Sequence, residues 1–304
     1  MSNNKTESSY TDKKSTGFHH LKNQLETSKF RLRKSEFEMI KTLVKDQFGI
    51  NFDDQKIGLV ENRIQRIIRS GDFGNFADFI RYLEKDTTKR QLSDLVDCLS
   101  TNHTYFFREK SHFDFFFSKA LPEVVATLQK NNTWDLRIWC AACATGEEAY
   151  TLQMLLMEYF GNKYPFWNAG ILATDISSQA LDFARKGIYS ADRVGMIPKS
   201  LKEKYLTRLP TGDWKVIDKI RREVTFRRFN LVNKRFPFKN QFHIIFCRNV
   251  MIYFDIPTRR NLVEEINTWT TPGGYFFTGC SESIDRSIKT FEHVIPAVYK
   301  KVPC

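Results

Sequence analysis

The sequence predicts an α/β domain built on a parallel, doubly wound sheet, preceded by a smaller all-α domain. Three observations predict it. From about residue 30 to 100 the apolar positions recur at helical spacing. From Trp134 onward, short apolar runs bounded by polar residues or glycine alternate with helical patterns, as strands buried on both faces of a parallel sheet require. One stretch, "YLTRLPTGDWKVIDKIRREVTFRRFNLV", breaks that alternation with short β-like runs around a "PTGD" turn. It predicts a small antiparallel β insertion at about residues 205–228.

The chain opens "MSNNKTESSYTDKKSTGFHH", and residues 1–28 read as a disordered polar tail. "SEFEMIKTLVKDQFG" predicts the first helix, with Ser35 and Glu38 at capping-box spacing, Phe37, Ile40, Val44 and Phe48 on one face, and a stop at Gly49. "DDQKIGLVENRIQRIIRSG" predicts the second, with Val60, Ile64 and Ile67 or Ile68 facing a core and Gly71 as the stop. On another face Arg63, Arg66 and Arg69 form a basic stripe, either a solvated face or a docking surface for an acidic helix. "NFADFIRYLEKD" and "KRQLSDLVDCLST" complete four short amphipathic helices, which suit a small bundle. The helical domain is placed at 29–105 and the α/β domain at 106–304.

Within the α/β domain, "LRIWCAA", "AGILATDIS", "FHIIFCRNV" and "GGYFFTGCS" read as buried strands. "GEEAYTLQMLLMEYFG", "SSQALDFARKGIY" and "PTRRNLVEEINTWTT" read as the helices between them, and "FEHVIPAVYKKV" as a last edge strand. A sheet of this kind binds ligands at the carboxyl ends of its strands.

A formal net charge of +12 over 304 residues favours an acidic partner, although the basic residues are spread rather than gathered in one tract. No apolar run approaches the roughly 18 residues of a membrane span, and no apolar signal core opens the chain, so a cytoplasmic protein without membrane insertion is expected. A monomer is the default. Cys140 and Cys143 form a C-x-x-C pair that no second pair or nearby histidine extends to a zinc set; buried thiols and no metal are expected, with a redox pair, which its place after a strand and before a helix would allow, as the alternative.

The strand–turn–helix "RIWCAACATGEEAYTL" carries the chemistry. A helix starting just after a strand points unpaired N–H groups and a positive dipole end at its ligand. A diphosphate demands several glycines, whereas this turn has the single Gly146 followed by Glu147 and Glu148, which repel phosphate and tolerate a cationic ligand. The second strand ends in Asp175, placed to accept from a ribose diol or, alternatively, to cap the next helix. S-adenosylmethionine fits: it has ribose hydroxyls, a sulfonium cation, an amino-acid head and no phosphate.

Four blocks then resemble the chemotaxis-receptor (CheR-type) protein-glutamate methyltransferases: "TNHTYFFRE" at 101–109, "WCAACATGEEAYTL" at 139–152, "FCRNVMIYFD" at 246–255 and "PGGYFFTGCSES" at 272–283. The resemblance runs from about residue 30 to 300. It implies a Rossmann-like class I methyltransferase sheet, S-adenosylmethionine as cofactor with S-adenosylhomocysteine as product, and, as substrates, glutamates on the cytoplasmic helical domain of methyl-accepting chemoreceptors. It assigns cofactor contacts to Asn102, Thr104, Arg108, Glu147, Asp175, Asn230, Leu231, Asn249 and Val250. For Arg108 a surface ion pair is the alternative. The resemblance casts Tyr253 as the residue facing the reaction centre, an orienting donor and not a base. The Arg63, Arg66 and Arg69 stripe becomes the candidate receptor-binding surface. Ala149 departs from a usual proline, which a helix start tolerates. The β insertion grips a receptor tail in some relatives, but "LPTGD" is short, and tail binding is not expected. Two other readings are a non-catalytic cofactor-binding adaptor and a nucleic-acid methyltransferase. The second lacks the Asn/Asp-Pro-Pro-aromatic motif, since the corresponding position reads "RNVMIY".

Overall fold

The computed structural model describes residues 31–71, 73–86, 90–99, 102–285 and 287–303. The expected N-terminal tail, residues 1–28, lies outside the described residues. The chain divides into two compact units, the first holding residues up to 43 and 52–99, the second 44–51 and 100 onward.

The first unit carries helices α1 (Lys34–Phe48, whose last turn groups with the second unit), α2 (Ile57–Ser70), α3 (Phe76–Lys85) and α4 (Arg90–Leu99). The expected Ser35/Glu38 capping box is displaced by two residues. Arg33 stands at the cap, and its backbone N–H donates to Glu36 Oε2 at 2.9 Å while its guanidinium donates to Oε1 at 2.6 Å. A carboxylate at the third helical position reaches back to the cap, which is the acidic half of a capping box without the hydroxyl. In α2 the buried positions are Val60, Ile64 and Ile68, so Ile68 rather than Ile67 continues the core stripe. In α3, Asn75 caps by accepting from the Asp78 N–H at 2.9 Å.

The second unit is built on a seven-stranded sheet in the order β6-β2-β1-β7-β8-β10-β9. These are β1 (Ile138–Ala141), β2 (Ile171–Asp175), β6 (Val224–Arg228), β7 (Phe242–Cys247), β8 (Thr270–Phe277), β9 (Phe291–Ile295) and β10 (Val298–Lys301). The first five in that order are mutually parallel; β10 runs antiparallel to β8, and β9, antiparallel to β10, closes that edge. Every residue of β1 and β7 is buried, with apolar clusters on both faces, as central strands of a doubly wound sheet require. "FEHVIPAVYKKV", expected as one edge strand, is a hairpin of two, turning at Ala297 with φ +63°.

The small antiparallel sheet has the order β3-β5-β4, from Ile188–Tyr189, Trp214–Val216 and Leu206–Arg208. Its bounds differ from the expected 205–228. Val224–Arg228 pairs with β2 in parallel and is the far edge of the main sheet, while Ile188–Tyr189 joins from upstream. Alternation in Val224–Arg228, buried at Val224 and Phe226 only, made a main-sheet edge strand resemble a hairpin strand. Before β1 the chain is helical, over Lys110–Phe115 (α5), a five-residue π-helical turn Phe116–Ala120, and Leu121–Lys130 (α6), a region where no element was expected.

Candidate active site

The site is assembled at the carboxyl ends of β1, β2, β6 and β7, where a sheet that reverses direction about β1 opens its crevice. After β1 the turn folds through alternate left-handed residues: Ala142 at φ +56°, Ala144 at +46° and Gly146 at +93°. Gly146 is required twice over. Its φ disfavours a side chain, and an added Cβ would lie 2.8 Å from the Cβ of Ala184. It starts α7 (Glu147–Phe160) without a side-chain cap, so the first-turn N–H groups receive no cap from Gly146.

Asp175, at the end of β2, is buried and ties that turn in place. Its Oδ2 accepts from the Ala144 N–H at 2.8 Å and its Oδ1 from the Ser177 N–H at 2.9 Å. It is not the cap of the following helix α8 (Ser178–Lys186): Ser177 is, accepting from the Ala180 N–H at 3.0 Å. Glu147 is fully buried. Thr145 Oγ1 donates to its Oε2 at 2.7 Å, and the Arg193 guanidinium pairs with its Oε1. Burial pushes the Glu147 carboxyl above the usual range, against the opposing charge of Arg193.

Glu148 faces the other way. It forms an ion pair with Arg248, the residue just past β7, and accepts from the Cys140 thiol at 3.3 Å. Arg248 is almost wholly buried and also donates to the Arg108 carbonyl at 2.6 Å and to Glu109 Oε2 at 3.1 Å. Glu109 in turn accepts from Asn249 Nδ2 at 3.1 Å and from the Cys280 N–H at 3.0 Å. Its carboxyl is held at about 2: burial pushes it up, and Asn249, the Arg248 charge and Cys280 outweigh that. Asn249 takes φ +58°. That backbone is fixed by Glu282, whose buried carboxylate accepts from the N–H groups of Asn249 at 2.8 Å, Gly279 at 2.7 Å and Ile252 at 3.2 Å.

The other expected residues fall as follows. Tyr253 closes a 3-10 turn, Met251–Tyr253, and packs half-buried against an apolar cluster containing Met251 and Phe254. Val250 borders the same cluster. Leu231 is buried within it, and Asn230 donates to the Gln47 carbonyl at 2.8 Å and accepts from the Val232 N–H at 3.2 Å. Asn102 and Thr104 are partly exposed ahead of α5. Among the described residues Arg108 makes no ion pair of the kind expected as its alternative; it donates to the His103 carbonyl at 2.8 Å and its guanidinium lies 5.9 Å from the Tyr105 ring centre. In the first unit Arg63 donates to the Leu99 carbonyl at 2.7 Å, at the end of α4, while Arg66 and Arg69 are exposed. Cys140 and Cys143 are buried, and burial pushes both thiols up.

Sequence reasoning gave no role to Glu109, Glu148 as a partner of Arg248, Arg193, Arg248 or Glu282. Four of the five stand inside the quoted blocks, so the signal was present. What was missing was the pairing, which spans up to 171 residues of chain.

Two family models match the chain: CheR methyltransferase, all-alpha domain, over residues 35–100, and CheR methyltransferase, SAM binding domain, over 102–299. Among curated relatives, a chemotaxis protein methyltransferase of Borreliella burgdorferi is 43% identical over 270 residues, covering 89% of this chain and 95% of its own. Chemotaxis protein methyltransferase 2 of Pseudomonas aeruginosa is 34% identical over 89% of this chain and 94% of its own, and the Escherichia coli chemotaxis protein methyltransferase is 30% identical over 87% and 90%. With an all-α unit, a mostly parallel sheet, and matches that span both, the chain belongs to the CheR methyltransferase family.

Proposed function

We propose that the protein transfers a methyl group from S-adenosylmethionine to glutamate side chains on the cytoplasmic helical domain of methyl-accepting chemoreceptors, forming methyl esters. The observation that carries this reading is the match of both units to one family whose relatives are chemotaxis protein methyltransferases. The donor set at the strand ends agrees with the cofactor. A single-glycine turn, an uncapped helix start and three nearby carboxylates suit a ribose and a cation better than a diphosphate.

In this reading Asp175 accepts from the ribose hydroxyls through the lone pairs left by its two backbone bonds. Asn230 and Leu231 flank the adenine, and Asn249 and Val250 line the crevice. Asn102, Thr104 and Arg108 hold the amino-acid head. Glu147 reaches the amino group only as Arg193 gives way. Bound there, the cofactor supplies an activated methyl group. The acceptor carboxylate, with an ordinary pKa near 4.3, is ionised at neutral pH and needs no general base. The protein's part is alignment and exclusion of water, worth up to about 7–11 kcal/mol where geometry is good. Tyr253 orients the acceptor by donating a hydrogen bond. Among the described residues no helix is long and apolar enough to cross a membrane, which agrees with action on a receptor's cytoplasmic part.

The test is transfer of tritiated methyl to receptor-containing membranes. Base-labile label in a receptor band is expected, and label that resists base, or none with folded enzyme, refutes the ester. Tyr253→Phe is expected to lower kcat about 10-fold or more, within the range of a lost orienting contact; normal turnover would remove Tyr253 from the reaction.

A further inference from the structure

Behind the Arg248 network lies a group of side chains to which neither the family nor the proposed reaction gives a role. Glu109, His112 and Cys280 come from the start of α5 and from the loop after β8, 168 residues apart for the last two. Their ligand-type atoms all lie within 4.8 Å of one another. Cys280 is exposed, so the group opens to solvent on one side, while His112 is buried on the other.

The distances decide what the group resembles. His112 Nε2 and Cys280 Sγ are 3.6 Å apart. A tetrahedral zinc, with bonds of about 2.3 Å to sulfur and about 2.0 Å to nitrogen, spans a sulfur–nitrogen separation of about 3.6 Å. Glu109 Oε2 lies 3.4 Å from Nδ1, the other ring nitrogen, so the carboxylate stands beside the ring while Nε2 is the nitrogen turned toward Cys280. Arg248, 3.1 Å from Glu109, is the obvious objection to a cation. The charge count answers it. Arg248 is paired with both Glu148 and Glu109, and Cys280, once it gives up its proton to a metal, adds a third negative charge. The net of two negative charges is what a divalent cation neutralises.

We infer that Glu109, His112 and Cys280 form a site for a thiophilic divalent cation, zinc or a metal of similar preference, with solvent completing the shell on the exposed side. Thiolate, imidazole and carboxylate together favour such a metal over magnesium or calcium. The site is inhibitory in character. To bind metal, Glu109 must loosen its hold on Asn249 and Arg248, which fix the end of β7.

Cobalt(II) is the probe, because it takes zinc sites and reports them by colour. Titration of metal-free protein is expected to give, at one equivalent, a sulfur-to-cobalt charge-transfer band and the visible bands of a four-coordinate ion. Both should vanish in Cys280→Ser, which sits at the surface, and in His112→Ala. They should persist in Cys304→Ser, a control outside the described residues. Zinc should slow methyl transfer by the wild-type enzyme and leave Cys280→Ser unaffected. Absence of the bands in wild-type protein that melts normally overturns the site, as does their survival in Cys280→Ser. Equal zinc inhibition of both enzymes overturns the inhibitory assignment.

Discussion

Replacing Glu282 by glutamine tests whether the loop after β7 is held by a carboxylate or merely packed. The side chain is buried and accepts three backbone hydrogen bonds, from Asn249, Gly279 and Ile252. Hydrogen bonds to a charged acceptor contribute about 1.5–3 kcal/mol each. Glutamine preserves volume but offers one acceptor oxygen. If that oxygen keeps the Asn249 and Gly279 donors, now as weaker neutral bonds, the amide NH2 is left against the Ile252 N–H, donor facing donor. One lost bond and two weakened ones suggest about 2–4 kcal/mol of destabilisation. At about 2–4 °C per kcal/mol for a unit of this size, Tm should fall by roughly 5–15 °C. Turnover should fall further than stability explains. Asn249, at φ +58°, has its N–H anchored on this carboxylate, and a shift of order 1 Å at a reacting site costs about 100-fold. The assay pairs a circular dichroism melt with methyl-transfer kinetics measured well below the mutant's Tm. A Glu282→Gln protein that melts within about 2 °C of wild type and turns over normally would refute the anchoring role.

Three further outcomes are expected. Arg248→Met leaves Glu148 and Glu109 without their shared cation in a buried setting, and should cost about 3–5 kcal/mol in a urea titration; a loss under about 1 kcal/mol would mean that the two acids find other partners. Glu109 and Glu123 are both held at about 2, in each case because neighbours (Asn249 and Arg248 for the first, Lys300 and Tyr275 for the second) outweigh burial. Carboxyls depressed on folding stabilise above their unfolded value near 4.5, and that contribution disappears as pH falls from there through about 2, so the urea midpoint should drop across this window; a flat midpoint excludes it. Arg66→Glu with Arg69→Glu should raise KM for receptor at least several-fold and leave cofactor affinity unchanged, read by kinetics and calorimetry; an unchanged KM removes the stripe from substrate binding.

The sequence made the architecture legible because periodicity is local. Four helices, four central strands and the helix-starting Gly146 each declare themselves within about 15 residues. What local pattern misplaced were the edges. Val224–Arg228 alternates like a hairpin strand because an edge strand of a parallel sheet is half solvated, and Phe291–Lys301 hides a turn whose left-handed residue is Ala297 rather than a glycine. The capping signal failed for a similar reason: a box needs only a carboxylate three residues on, and Glu36 competes with Glu38 for that role. At the candidate site, the turn and Asp175 could be named from chemistry, while the residues after β7 were named only through the resemblance. The ion pairs could not, because charge in a sequence carries no partner.

Those pairs explain why four short blocks spread over about 180 residues belong to one site. Glu109 comes from the first block, Glu148 from the second, Arg248 and Asn249 from the third, and Cys280 and Glu282 from the fourth. One buried guanidinium touches the first and second blocks directly and continues the chain of the third, and Glu282 closes the fourth onto it. A buried ion network is a poor source of net stability, since replacing it with apolar residues often costs nothing. Its gain is geometric. Each partner must be placed to within hydrogen-bond tolerance or leave a buried charge uncompensated, and that penalty locks the ends of β1, β7 and β8 and the segment before α5 into one register. In the proposed reaction, whose work is alignment with little proton transfer, there is reason for such a network to frame the site instead of packing alone, because apolar cores tolerate small slips that a paired charge does not.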